Sequence, residues 1–181
     1  MKLYQEFLIG QDSEVVKEIN VTGAVIIRIG EDEQKEVLLI QRDSNDHFPL
    51  HWETPRGKCD KGDKNKLHEC LKREVKEETG LNVNILKYIG KFEYIAEEGK
   101  RKSTQYNYLC SMKNPKQKVK LSKEHQDYKW ISNTSQAELL CLPEIKRLIS
   151  RVLNNDSPIV NYPKTEEVIE ETQRSWTKLK C

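Results

Sequence analysis

The stretch Arg73-Glu74-Val75-Lys76-Glu77-Glu78-Thr79-Gly80-Leu81 decides how this chain folds and points to its chemistry. It completes a predicted helix, Lys66–Thr79, whose apolar residues recur at helical spacing on one face. The glycine after the helix is typical of a helix end. On such a helix Glu74 and Glu78 lie one turn apart, with Glu77 between them in angle. We call these three side chains the carboxylate patch.

The carboxylate patch is unfavourable as plain structure and well suited to a cation. Its like charges repel, and it lies towards the helix C-terminus, where the helix dipole disfavours anions. Hard divalent cations such as Mg²⁺ take oxygen ligands and share them with substrate phosphates. Arg73 is placed to orient one carboxylate through a charge-assisted pair. The alternative is a solvated acidic face neutralised by Lys72 and Lys76.

Hydrophobic periodicity predicts the other elements. Strands are expected at Val21–Ile29, Val37–Gln41, Val83–Ile95, Ser103–Met112 and Tyr128–Ile131. The first two are expected to form a hairpin. A second helix is predicted over Pro143–Leu153, a loop over Arg56–Asn65 and a polar helical tail over Thr165–Leu179. Together these elements indicate a mixed sheet between helices.

The segment from Gly57 to Leu81 resembles the Nudix box, Gly-x5-Glu-x7-Arg-Glu-U-x-Glu-Glu-x-Gly-U, in which U is an apolar residue. The match is complete from Arg73 onwards. In the first half, Asp63 stands where the pattern has Glu, and the spacer that follows is two residues longer than in the pattern. Counting back from Arg73 puts Asn65 in that position instead. Either Asp63 serves in a longer loop, or the acidic position is lost.

The resemblance implies an α+β Nudix fold, an α/β/α sandwich with a mixed β-sheet. We expect this domain to occupy residues 1–154, followed by a linker and helical tail over 155–181. The resemblance also implies a bound Mg²⁺, with Mn²⁺ as the alternative, that activates water and neutralises phosphate charge. The implied metal ligands are Glu77, Glu78, the backbone carbonyl of Arg56, and Glu74, whose other implied role is that of catalytic base assisted by Arg73.

Three segments outside the box resemble the asymmetric diadenosine tetraphosphate hydrolases within this family. They are His51-Trp52, Pro55-Arg56-Gly57 and Leu121–Trp130. The implied reaction is attack of water on a bridge phosphate of a dinucleoside polyphosphate, with ATP and AMP as products of diadenosine tetraphosphate. Glu124, in the third segment, is then a further metal ligand or a general base.

Substrate-binding candidates are basic or aromatic side chains near these motifs: His51, Lys58, Tyr94, Lys100 and Lys102. Lysines in the turn at 97–102 suit a polyphosphate chain, and Tyr94 suits stacking on a base. Each has a plainer interpretation, because the turn is also typical of a solvated loop. Likewise His51 is placed to pack beside Trp52, and a strand tyrosine often belongs to the core.

Composition removes several classes of function. Of 181 residues, 33% are charged, yet 31 Lys+Arg and 29 Asp+Glu leave a formal charge of +2, so bulk charge indicates no polyanion partner. No apolar run is long enough to span a bilayer or to act as a secretory signal, and we expect no membrane partner. Five cysteines without a Cys-x-x-Cys pair predict reduced thiols in the cytoplasm, without a disulfide framework or zinc site.

Three alternatives remain open at this point. Pro55–Lys61 is also similar to the messenger-RNA decapping enzymes, which act on an RNA 5′ end, although the basic clusters here are short. A nucleotide-sugar or damaged-nucleotide pyrophosphatase is the next alternative. A catalytically inactive Nudix module that binds RNA or nucleotides is the third, and the intact carboxylate patch argues against it. The sequence contains no pattern that determines an oligomeric state.

Overall fold

The computed structural model describes residues 17–46, 48–59, 66–96, 100–136 and 143–155. Its strands are β1 (Lys17–Ile29), β2 (Lys35–Arg42), β3 (Trp52–Glu53), β4 (Arg56–Lys58), β5 (Val83–Ala96), β6 (Arg101–Met112) and β7 (His125–Ile131). Two α-helices, α1 (Leu67–Thr79) and α2 (Pro143–Leu153), and a short 3₁₀ turn at Thr134–Gln136 complete the described elements.

The described strands form one mixed sheet in the order β3-β2-β1-β6-β5, with β4 added to β1 and β7 added to β2. β1 and β6 run parallel from Lys17 opposite Arg101 onwards, whereas the other pairs are antiparallel. β1 and β2 pair only over Ile27–Ile29 and then separate. β6 occupies the outer edge of β1, and β7 occupies the outer edge of β2. The gap between β1 and β2 is therefore filled by β4, which pairs with β1, and by β3, which pairs with β2.

Successive side chains along a strand point to opposite faces of the sheet, and a hydrophobic core forms on each face. Ala24, Ile26 and Leu38 pack with the apolar face of α1. Val25, Val37 and Leu39 pack with α2 through its apolar stripe, Ile145, Leu148, Ile149 and Val152. The central parts of β1 and β2 are buried on both faces, which is why their sequences are continuously apolar there rather than alternating. The predicted α/β/α sandwich with a mixed sheet is confirmed.

Helix α1 stops at Gly80, as predicted. Gly80 has φ 70°, a left-handed conformation that favours glycine, and its N–H donates to the carbonyl of Lys76. The main chain of Lys120 lies 3.3 Å from where a Cβ of residue 80 would stand, so a side chain would also meet backbone there. Gly80 therefore both ends the helix and lets the segment before β7 approach it.

The predicted hairpin, the long strands and both helices of the domain are confirmed, with ends shifted by a few residues. The predicted loop over Arg56–Asn65 is wrong at its start, because Arg56–Lys58 pairs with Val21–Gly23 of β1 as strand β4. Asp63, Asn65 and the predicted helix at Thr165–Leu179 lie outside the described residues. Neither described helix is long and apolar enough to cross a membrane.

The expectation of reduced cysteines is wrong at one pair, because Cys59 and Cys70 form a disulfide with Cα atoms 5.5 Å apart. Cys59 directly follows β4 and Cys70 lies in the first turn of α1, so pairing of β4 with β1 brings together two residues that no sequence motif links. Cys110 is a buried free thiol, and burial raises its pKa to about 12.

Reduction of the Cys59–Cys70 disulfide is expected to destabilise the fold. A loop of this length contributes about 2–3 kcal/mol when closed, which corresponds to a fall in Tm of about 4–12 °C. Thermal unfolding with and without a phosphine reductant measures the change. Cys59→Ser should unfold at the reduced Tm in both conditions, and an unchanged Tm on reduction would contradict a stabilising disulfide.

Candidate active site

Glu74 lies against the main chain of β4. Gly57 has no side chain, and a Cβ there would overlap the Glu74 carboxylate. The strand can approach the helix this closely only because residue 57 is glycine. Glu74 is thus held at the gap between β1 and β2, where β4 meets α1, and its side chain is 13% exposed. Gly57, the first residue of the box, therefore lies directly against one member of the carboxylate patch.

Glu78 is the most buried member of the carboxylate patch, with 8% of its surface exposed. Its Oε2 accepts a hydrogen bond of 2.9 Å from the backbone N–H of Arg56. Burial raises the pKa of Glu78 well above its usual value, and the charges of Glu53 and Glu74 raise it further. The Arg56 N–H opposes that rise without cancelling it. More negative charge is gathered here than the basic neighbours balance.

Arg73 binds the other two carboxylates, as an orienting residue would. Its Nη1 lies 2.8 Å from Glu74 Oε1 and 3.1 Å from Glu77 Oε2. Its Nη2 donates to the backbone carbonyl of Lys58 at 3.2 Å, which joins α1 to β4 a second time. Glu77 is 58% exposed. The helix therefore presents one carboxylate to solvent and two to the gap.

The donor chemistry at the gap suits a divalent cation. Across the described ranges, no three His, Cys, Asp or Glu side chains converge closely enough to hold a metal ion, and Glu77 is turned to Arg73. However, burial raises the pKa of Glu78, the charges of Glu53 and Glu74 raise it further, and a hard cation with oxygen ligands would favour the ionised carboxylate. Glu74 and Glu78 are the described side chains placed to hold such an ion.

A buried carboxylate that sequence reasoning missed lies beside this gap. Glu53 is 1% exposed and binds Arg42 Nη1 and Arg56 Nε, each at 2.6 Å. His125 Nε2 lies 3.5 Å from Glu53 Oε1. Burial disfavours the charged form, but the bond from His125 and the charges of Arg56 and Arg42 outweigh it and lower the Glu53 pKa to about 2. A charged residue within a short buried strand was the available signal.

The Arg56 side chain connects the two faces of the sheet. Glu53 pairs with Ile40, and their side chains therefore lie on the α1 face. From there the Arg56 guanidinium donates through Nη1 to Tyr94 Oη at 3.3 Å and to Gln105 Oε1 at 3.2 Å. Both acceptors belong to the face that α2 covers further along. The structure therefore brings the predicted Arg56 and Tyr94 together through the Arg56 side chain. The role of the Arg56 carbonyl as a metal ligand stays a prediction.

Glu124 belongs to the segment before β7, which is bonded to the end of α1. Ser122 N–H donates to the carbonyl of Glu78 at 3.0 Å, and Lys120 N–H donates to that of Thr79 at 2.8 Å. The carbonyl of Glu124 accepts from the N–H of Asp43. The Glu124 side chain is exposed. This segment is therefore fastened to the end of α1, with Glu124 two residues beyond the attachment.

The remaining predicted residues are placed around the gap rather than within it. His51 Nδ1 bonds the carbonyl of Pro49, its ring packs on Phe48 at 5.8 Å, and neither contact involves the carboxylate patch. Lys58 is exposed on β4 next to Gly57. Lys102 forms an ion pair with Glu93 at 3.0 Å, and Lys100 is exposed at the described end of the turn.

A family model described as the NUDIX domain matches residues 20–150. The chain belongs to the Nudix family. A curated mouse relative, bis(5′-nucleosyl)-tetraphosphatase [asymmetrical], is 35% identical over 115 residues, which is 61% of this chain and 74% of that protein. The predicted family and the predicted enzyme class, a hydrolase of phosphoric anhydride bonds, are confirmed.

Solved Nudix structures show the same fold. A C. elegans Ap4A hydrolase, determined as a binary complex, superposes with a TM-score of 0.64 and is 25% identical, covering 76% of this chain and 96% of that one. A MutT protein from Methanosarcina mazei Go1 superposes with a TM-score of 0.61 at 26% identity, covering 80% and 98%. The gap between β1 and β2 is therefore part of a Nudix fold.

Gly57→Ala is expected to inactivate the enzyme while the fold survives. The new Cβ displaces only the end of a flexible side chain, Glu74, and Tm should change by about 4 °C or less. Displacing that carboxylate should lower kcat for anhydride hydrolysis about 100-fold. Gly30→Ala is the matched control, because its Cβ would meet the Glu36 carboxylate at 2.9 Å away from the site. Full activity of Gly57→Ala would refute the role of Glu74.

Proposed function

We propose that this Nudix hydrolase cleaves dinucleoside polyphosphates such as diadenosine tetraphosphate, with Mg²⁺ as its cation and Mn²⁺ as a substitute. The observation that carries the proposal is the placement of Glu74 and Glu78 against the main chain of Arg56–Gly57. Relatives named as asymmetrical bis(5′-nucleosyl)-tetraphosphatases support the choice of substrate. A bound divalent cation supplies an activated water and neutralises bridge-phosphate charge.

The residues at the gap have separate proposed roles in the reaction. Glu78, Glu74 and Glu77 would hold the cation, together with the backbone carbonyl of Arg56. Glu74 or Glu124 takes the proton from the attacking water, within hydrogen-bond reach of it. Arg73 keeps the base oriented through its 2.8 Å contact with Glu74. Glu78 is buried, which would exclude water from its side of the site.

The substrate is bound by groups on both sides of the carboxylates. Arg56 and Lys58 provide positive charge beside the reacting phosphate, and Lys100 and His51 extend it along the chain of phosphates. Tyr94 presents a ring for a base, in the same cluster as the Arg56 guanidinium. Lys102 adds a further positive charge, next to Glu93, with which it forms an ion pair. This arrangement fits a ligand with a nucleoside at one end and several phosphates.

The domain assignment and the location are further proposals. We assign the hydrolase to residues 1–154, with 155–181 as a separate tail. A cytoplasmic location stays a prediction, and the Cys59–Cys70 disulfide weighs against the reduced-thiol argument from which it came.

Glu78→Gln is expected to lower kcat about 100-fold, the size typical when one group that stabilises transition-state charge is lost. Its Tm should not fall, because the amide keeps the shape of a side chain whose charge is opposed by burial and by two carboxylates. Glu77→Gln should show the same loss. Glu69→Gln is the control, since Glu69 lies exposed on the same helix and pairs only weakly with Lys66 at 3.5 Å. Full Mg²⁺-dependent activity in both site variants would refute the metal assignment.

A substrate panel separates this proposal from its alternatives. The enzyme is incubated with Mg²⁺ and diadenosine tetraphosphate, capped RNA, nucleotide sugars or nucleoside triphosphates, and products are identified by chromatography. ATP plus AMP from the first substrate is the expected result, and EDTA should abolish it. Preferential release of a methylated guanosine diphosphate from capped RNA would replace the proposal with decapping. Tight RNA binding without turnover of any substrate would instead indicate a binding module.

A further inference from the structure

Glu53 is a buried carboxylate on which three segments of the site converge. Its two oxygens are occupied by different arginines at 2.6 Å, Oε1 by Arg42 and Oε2 by Arg56. The third partner is the His125 ring, whose Nε2 lies 3.5 Å from Oε1. These partners belong to β2, β4 and β7. A single carboxylate on β3 therefore contacts side chains of three other strands at the gap.

Each partner of Glu53 is next to a predicted site residue. Arg42 ends β2 and binds Asp46 at 2.6 Å in the loop that leads to His51. His125 directly follows Glu124, and its Nδ1 lies 3.3 Å from Ser122 Oγ in the segment fastened to α1. Arg56 is itself a site residue. Movement of Glu53 would thus displace the loops of three candidate groups together.

Fold stability alone does not account for this cluster. A buried ion network contributes little net stability, because the cost of desolvation offsets much of the attraction. The network instead fixes the orientation of the Arg56 guanidinium. Oε2 of Glu53 holds the Nε edge of the Arg56 guanidinium, so that Nη1 meets Tyr94 and Gln105 on the other face. A planar guanidinium held in this way has one fixed orientation, which is the orientation in which it would meet a phosphate.

We propose that Glu53 is a positioning residue of this hydrolase: it holds Arg56 in the orientation that binds the substrate's polyphosphate chain. The proposal rests on the proposed function for the identity of the substrate. Glu53 acts through Arg56 and does not touch substrate. Its loss should therefore weaken substrate binding more than it slows the chemical step.

A double-mutant cycle tests this coupling. Glu53→Gln, Arg56→Gln and the double variant are compared for kcat and KM on diadenosine tetraphosphate with Mg²⁺. We expect Glu53→Gln to raise KM about tenfold or more, the scale of a lost hydrogen bond to a charged group. The double variant should be no worse than Arg56→Gln alone, because the two residues act as a unit. Independent effects that multiply in the double variant would overturn the proposal.

Two further variants separate positioning from stability. Glu36→Gln breaks Arg28–Glu36, an equally short 2.6 Å pair on the β1–β2 hairpin, and should leave KM unchanged. Glu53→Asp keeps the charge but is too short to reach both arginines, and it should fold and still raise KM. If Glu53→Gln fails to fold, Glu53→Asp takes its place in the cycle. An unchanged KM in Glu53→Asp would overturn the positioning role.

A binding measurement keeps this test apart from the proposed function. Inorganic tripolyphosphate is titrated into each folded variant by calorimetry with Mg²⁺ present, so that no nucleoside is needed. Glu53→Asp and Arg56→Gln should each weaken tripolyphosphate binding, and Glu36→Gln should not. Equal affinity in all variants, or no binding to the unaltered chain, would overturn the role of Glu53. Failure to cleave any dinucleoside polyphosphate would overturn only the proposed function.

Discussion

The close approach of β4 to α1 at Gly57 is the constraint on which the site depends. The Glu74 carboxylate occupies the volume that a side chain at residue 57 would fill. Three further links hold the same two elements together: the Arg56 N–H on Glu78, Arg73 on the carbonyl of Lys58, and the Cys59–Cys70 disulfide. Because β4 is also paired with β1, these links fix the carboxylates relative to the sheet as well as to the helix.

The two buried carboxylates at the gap, Glu53 and Glu78, have different electrostatic surroundings. Glu53 is fully neutralised, with two arginines and a histidine around it, and its pKa is about 2. Burial raises the pKa of Glu78, and the charges of Glu53 and Glu74 raise it further. The two buried carboxylates therefore differ in their surroundings: Glu53 has three basic partners, whereas Glu78 accepts the backbone N–H of Arg56 and lies near two acidic side chains. The formal charge of +2 for the whole chain conceals this local separation.

The predictable part of the structure is the part set by local pattern. The α1 helix, its end at Gly80, the long strands and α2 follow from hydrophobic spacing and from proline and glycine, because those signals act within a few residues. The contact of Gly57 with Glu74 does not follow from local pattern, because it depends on the pairing of β4 with β1. The cluster of Glu53, Arg42 and His125 depends in the same way on pairing between strands distant in sequence, and the Cys59–Cys70 disulfide depends on a strand where the sequence predicts a loop.

The same pairing explains how an irregular box retains a regular site. The spacer between the box glycine and Arg73 is two residues longer than the Nudix pattern, and a longer loop by itself places no constraint on its ends. Here β4 is anchored to β1 up to Lys58, and the Cys59–Cys70 disulfide joins the two ends of the longer segment covalently. Extra residues between these cysteines therefore leave the distance from Gly57 to Glu74 unaffected. The carboxylates are positioned by the pairing of β4 with β1 and by the disulfide, and the spacing within the loop is of less consequence.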